Sequence, residues 1–259
     1  MLIDTENPST YPSAMQETVY QYIADNLSHI EAQVKENIVE NDSDVRCAIE
    51  NYLSPFKAES LYAQLLKNMA EHEMICYHAT KALDQKQIMK SGLRASKWSL
   101  YSVSLRKTLE VLGAEDVDSI IDCVHKEYER KHQPVNYKPQ LCFFSGLNFA
   151  DGGDYAGYDQ FCQNIGGELA RWALKDTMPK AYYLLKNNGI QLIVKFILPF
   201  ADIAAYQQET ILYQFVCYYA AQYFWGWKYT VQFDGRTSKD ISPEQILELI
   251  EYDKEVDYE

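Results

Sequence analysis

Apolar residues near the start of this chain keep a long helical period, and after that short apolar runs alternate with further helical stretches. Val19, Ile23, Leu27, Ile30, Val34 and Ile38 recur at three- and four-residue steps, until Asn41-Asp42-Ser43-Asp44 interrupts them as a turn and a new cap. Two shorter helices are predicted around Val45 to Tyr52 and Glu59 to Ala70, with Ser54-Pro55 between them. The pattern then switches. A strand is expected from Met74 to His78, and a helix from Asp84 to Lys90 stops at Ser91-Gly92, where glycine suits a left-handed cap. Helices are predicted over Ser99 to Leu112 and Asp116 to Arg130. A buried strand follows at Leu141 to Ser145, then a loop rich in Gly and Asp from Gly146 to Gly157.

Beyond the loop, a helix is expected to start near Gly166, with Leu169, Trp172 and Ala173 on one face. A strand from Gln191 to Leu198 ends at Pro199. An aromatic helix from Gln207 to Phe224 and strands at Lys228 to Phe233 and Ile246 to Ile250 complete the pattern. Its tyrosines and tryptophans, Tyr218 to Trp227, are read as core. This order lacks the regular strand-helix-strand alternation of a doubly wound sheet. The expected class is α+β, a mixed and partly antiparallel sheet with an N-terminal helical lobe. The expected division is a flexible arm at 1–12, with Pro8 and Pro12 among small polar residues, a helical lobe at 13–73, a main domain at 74–250 and an acidic tail at 251–259.

Charge and cysteine usage narrow the function. Across 259 residues, 24 basic and 37 acidic side chains leave a formal charge of −13, which repels phosphate backbones and anionic membrane surfaces. A protein partner is therefore expected before a nucleic acid, and no membrane; oligomeric state leaves no signature. The six cysteines contain no C-x-x-C pair and fall mostly within apolar runs, as expected of buried thiols in a reducing cytoplasm. The residues after Met1 include neither a basic region nor a long apolar stretch, so no signal peptide is expected. With five histidines and no H-x-x-x-H spacing, a metal site is not expected. G-x-S-x-G and G-x-x-x-x-G-K-[ST] are also missing, which removes the common hydrolase and P-loop readings.

Two islands remain. Cys76-Tyr77-His78-Ala79-Thr80 followed by Ile88-Met89-Lys90-Ser91-Gly92-Leu93 resembles the opening of the ADP-ribosyltransferase superfamily, where a Y-H-x-T strand leads into a helix ending in G-L. The second, Phe143-Phe144-Ser145 through Gly166-Gly167-Glu168, is similar to a bacterial branch with an F-S strand, a Gly/Asp/Tyr-rich loop and a Gly-Gly-Glu helix start. The resemblance implies NAD as substrate. Tyr77, His78, Ala79 and Thr80 would bind it, with His78 on a ribose hydroxyl and the Ala79 main chain on the carboxamide. Phe144 and Ser145 would flank the nicotinamide. Asn148 stands where the superfamily often has its central tyrosine, so the stacking ring falls to Tyr155 or Tyr158. Glu168 and His78 would be the catalytic pair, with the Glu168 carboxylate stabilising the positive charge that develops as nicotinamide leaves. The implied activity is mono-ADP-ribosylation of a macromolecule by a toxin, a delivered effector or a phage-defence enzyme. NAD hydrolysis, or nucleotide or protein binding without turnover, are the alternatives.

Overall fold

The computed structural model describes residues 1–95, 97–131, 140–147 and 157–251. The chain begins with β1 (Leu2–Ile3), α1 (Ser13–Asp25), α2 (Leu27–Lys35), α3 (Asp42–Leu53) and α4 (Glu59–Met69). Next come β2 (Glu73–Ala82), α5 (Gln85–Ser91), α6 (Trp98–Val111), α7 (Val117–Lys131) and β3 (Leu141–Phe144). The remainder is α8 (Gly157–Cys162), α9 (Gly167–Leu174), α10 (Pro179–Asn187), β4 (Ile190–Pro199), α11 (Ala205–Trp225), β5 (Asp234–Thr237) and β6 (Ile246–Glu251). The class is α+β. Among the described residues the sheet has six strands in the order β5-β3-β2-β4-β6, with β1 added to β2. It is mixed: β1 runs parallel to β2, pairing Leu2 with Glu73, whereas β4 and β6 are antiparallel with an irregularity at Lys195/Phe196.

Contacts divide the chain into two units. The first comprises Met1–Ile75, Phe144–Gly146 and Leu198–Arg236. Its centre is α11, which packs against α1, α2, α3 and α4 and has apolar residues on all sides. Ile211, Leu212, Phe215 and Val216 are wholly buried, and each such side chain contributes roughly 1.5–3 kcal/mol. Gly226, at φ 63°, ends the helix in the left-handed conformation. At the start of α3, Asn41 and Asp44 form a reciprocal capping box. Asp42 then accepts from Trp227 Nε1 at 2.8 Å and from Thr230 N at 2.9 Å, fixing the segment after α11.

The second unit comprises Cys76–Phe143, Leu147–Ile197 and Thr237–Glu259. Helices α6, α7, α9 and α10 enclose Leu105, Leu109, Val124, Ala170, Leu174 and Leu185. In the sheet, Phe143 of β3 meets Phe196 of β4 edge to face, with centroids 6.4 Å apart. Among the described residues no helix is long and apolar enough to cross a membrane.

Several expectations need correction. Residues 1–12 are no loose arm: β1 joins the sheet, Asn7 caps a 3₁₀ turn over Pro8–Thr10, and the Tyr11 ring packs 5.0 Å from both Phe215 and Tyr218. Residues 198–236 cluster with the N-terminal helices, whereas a single domain over 74–250 was expected. The long first helix breaks at Asn26, and β5 lies at Asp234–Thr237, after the expected strand at 228–233. Helices α8 and α10 were not anticipated. Most of the Gly/Asp-rich loop and of the acidic tail lies outside the described residues.

Candidate functional site

Alternation along β2 sorts the first island. Cys76 and Tyr77 are buried, His78 and Thr80 half-buried, and Ala79 buried again. Tyr77 is held on one face with the Lys195 ammonium 5.7 Å from its ring centroid. On the other face, His78 Nδ1 lies 2.7 Å from the Cys142 carbonyl oxygen. A carbonyl only accepts, so Nδ1 carries the proton and Nε2 is left as an acceptor on a fixed ring. Burial pushes the His78 pKa below 6.5, and the bond to Cys142 only partly offsets it, so the imidazole is neutral at pH 7.

The helix that follows β2 is capped at its start and fixed just beyond its end. Asp84 caps α5 by accepting from Lys86 N, and Gly92 leaves it at φ 72°. Leu93 and Ile241 exchange two main-chain hydrogen bonds of 2.9 Å, and a β-carbon at Gly92 would stand 2.0 Å from the Ile241 oxygen. Burial alone would raise the Asp240 pKa. The Ala95 N–H at 2.9 Å and Arg94 at 3.1 Å outweigh that and hold it below its usual value.

Glu168 occupies the first turn of α9, reached through two glycines of positive φ, Gly166 at 84° and Gly167 at 63°. Tyr101 donates its hydroxyl to the Gly166 carbonyl at 2.8 Å, and Gly167 N donates to Asn164 O at 3.0 Å. The Glu168 carboxylate is about a third accessible, with Arg171 3.7 Å away on the next turn. Lys131 of α7 also feels its charge. The Lys131 ammonium sits over the ring of Trp172, itself half-exposed.

The remaining predicted residues are dispersed. Phe144 and Ser145 belong to the first unit and are buried. Ser145 is engaged in support of the backbone: its Oγ accepts from Phe233 N at 3.0 Å, its N–H donates to Phe233 O, and its carbonyl accepts from the Thr5 hydroxyl. Tyr158, on α8, is 1 % exposed, so a stacking role requires a ring now enclosed. Tyr155 lies outside the described residues. Residues that the linear pattern did not single out are Tyr101, Arg171 and Lys81. Lys81, on the same strand as His78, donates to the carbonyls of Gln163 and Lys186. Its partners are distant in the chain and are main-chain atoms, so no motif signals it.

β2 extends to Ala82, four residues past the expected strand end at His78, so the second unit offers a neutral imidazole acceptor within β2, a partly accessible carboxylate on a helix opening and a set of cations around that carboxylate. No protein-family model, no curated protein and no solved structure matches the chain.

Proposed function

We propose that this protein is an NAD-dependent mono-ADP-ribosyltransferase with an ADP-ribosyltransferase-like core. The observation that carries the reading is the His78 ring, fixed through Nδ1 to Cys142 and neutral at pH 7. Its Nε2 acceptor suits a ribose hydroxyl, and the main chain of Ala79 suits a carboxamide, which needs one donor and one acceptor. Tyr77 and Thr80 flank these groups on β2. The nicotinamide bond to the ribose C1′ breaks with its electron pair leaving on nicotinamide. The Glu168 carboxylate stabilises the resulting oxocarbenium charge, and an acceptor nucleophile attacks C1′ and releases its proton. A tyrosine, Tyr155 or Tyr158, supplies the stacking ring in this reading.

The charge of −13 favours a protein acceptor over a nucleic acid. Six free cysteines suit a reducing cytoplasm, that of the producing cell or of a host entered by a toxin or effector; a phage-defence role fits equally. One observation favours a second reading, a module that binds a nucleotide or protein without turnover: Arg171 and Lys131 already offset the Glu168 charge.

Incubation with labelled NAD separates these readings. A transferase releases nicotinamide and labels a macromolecule, a glycohydrolase only releases nicotinamide, and a binding module does neither. Glu168→Gln is expected to lower nicotinamide release by about 100- to 1000-fold with an unchanged thermal midpoint. Undiminished turnover in that variant removes Glu168 from the mechanism.

A further inference from the structure

We propose that Lys81 is a positioning residue that couples the strand carrying His78 to the helix opening that carries Glu168. The inference rests on the ADP-ribosyl transfer reading of those two residues.

Lys81 follows His78 on β2, past Ala79 and Thr80, and its ammonium reaches two main-chain oxygens from different segments. It donates to Gln163 O at 3.5 Å and to Lys186 O in the last turn of α10. The second contact uses an oxygen that the helix itself leaves unpaired, and the negative end of the α10 dipole favours a cation there. The first contact has a continuation. The Gln163 side chain accepts from Arg171 Nη1 at 3.3 Å, and Arg171 Nη2 stands 3.7 Å from Glu168 Oε1. A connected path of polar contacts therefore runs from β2 through Gln163 and Arg171 to the carboxylate.

The same turn is stitched to α10 independently of Lys81. Ile165 N donates to Leu185 O at 3.3 Å, and the buried Asn164 amide donates to Tyr182 O at 3.3 Å. At the other end, a β-carbon on Gly189 would lie 2.8 Å from Ala82 O, so the α10–β4 turn abuts the end of β2 without slack. Lys81 sits where these parts converge. Burial lowers its pKa, as expected of an ammonium drawn away from water toward carbonyls. A cap for α10 alone would need only the Lys186 contact. The Gln163 contact adds a direct tie between β2 and the segment that leads into the Gly166-Gly167 opening, and a misplacement on the order of 1 Å at a reacting group costs about 100-fold in rate.

The test uses the full-length protein, its Lys81→Met variant, which keeps the aliphatic stem, and its Lys81→Arg variant, which keeps a donor. Nicotinamide release and amide hydrogen exchange are measured on all three. Lys81→Met is expected to lower kcat about tenfold or more with KM for NAD changed less than about twofold. It should also speed exchange at residues 164–168, while Lys81→Arg restores both. An active wild type whose Lys81→Met variant keeps its kcat overturns the proposal and leaves the functional reading intact. So does a loss that tracks the thermal midpoint and that arginine does not rescue, because Lys81 then only supports the fold. A wild type that releases no nicotinamide overturns the functional reading, and the positioning role with it.

Discussion

Within the second unit, the first island and the Gly166-Gly167-Glu168 end of the second are built with different tolerances. The first is crowded: Tyr77 is 1 % exposed, His78 is tied to a carbonyl, and Gly92 leaves no room for a β-carbon against Ile241. The second is open. Glu168 follows Gly167, where an added β-carbon meets no atom within 4 Å, and its carboxylate stands 3.7 Å from Arg171 on the next turn. Under the proposed function, the part of β2 that would read a carboxamide and a ribose benefits from preorganisation. In the same reading, a carboxylate that follows the charge developing on the ribose would work from a helix opening held by polar contacts. Rigidity at the binding half and adjustability at the chemical half are therefore expected to be separable by mutation.

The sharpest way to break this contrast is a pair of glycine substitutions. Gly92, at φ 72° and ψ −168°, occupies a region essentially reserved for glycine, and its β-carbon would overlap the Ile241 oxygen. Gly92→Ala should cost about 3 kcal/mol or more. Gly167→Ala meets only the left-handed backbone term, about 1–2 kcal/mol. Urea unfolding of both variants measures the difference, and equal losses would mean that the second island is as tightly built as the first.

A smaller effect is expected at His78 itself. His78→Ala removes the Nε2 acceptor and leaves the Cys142 carbonyl without that partner. NAD affinity should fall by about tenfold, close to 1.4 kcal/mol, when measured by calorimetry. Unchanged affinity would take the ribose contact away from His78. The contrast between the islands sharpens if Glu168→Gln leaves NAD affinity within about twofold while it stops turnover, since binding and chemistry then reside in separate halves.

How far the sequence carried follows from which interactions are local. The α5 stop at Gly92, the apolar β4 and the aromatic α11 were legible because their caps and periods lie within a few residues. The expected strand at 228–233 shows why period alone is insufficient. Tyr229, Val231 and Phe233 are indeed buried in alternation, but the backbone there is satisfied by Asp42 and by the Ser145 hydroxyl, with no continuous ladder. Alternation reports burial, and a strand also needs a neighbour. The arm was misread for the converse reason. Pro8 and Pro12 sit where proline is tolerated, in a 3₁₀ first turn and at the start of α1, and Leu2–Ile3 gain order from pairing with β2 and from the burial of Ile3. Helix α10 hides its core contacts in Ala181, Tyr182 and Leu185, a narrow stripe among lysines, although Pro179 at its first turn was a usable start signal. At the site, His78 and Glu168 were marked by motif resemblance. Lys81 and Tyr101 were not, because both act on main-chain carbonyls distant in sequence.

The mildest expected effect concerns protonation of the first island. The His78 pKa in the folded protein lies below its ordinary 6.5, with burial as the leading cause. Below 6.5 the unfolded chain therefore takes up a proton that the folded chain refuses, so this residue's contribution to stability is whole above 6.5 and declines as pH falls toward the folded value. The loss is bounded by about 1.4 kcal/mol for the first pH unit. Carboxylates add their own acid dependence, which a His78→Gln control retains. Urea unfolding at pH 7.5 and 5.5 should show the wild type losing more stability than His78→Gln, by about 1 kcal/mol or less. A larger acid loss in the variant than in the wild type would mean that the folded imidazole welcomes the proton, and a charged ring offers no acceptor to a ribose hydroxyl.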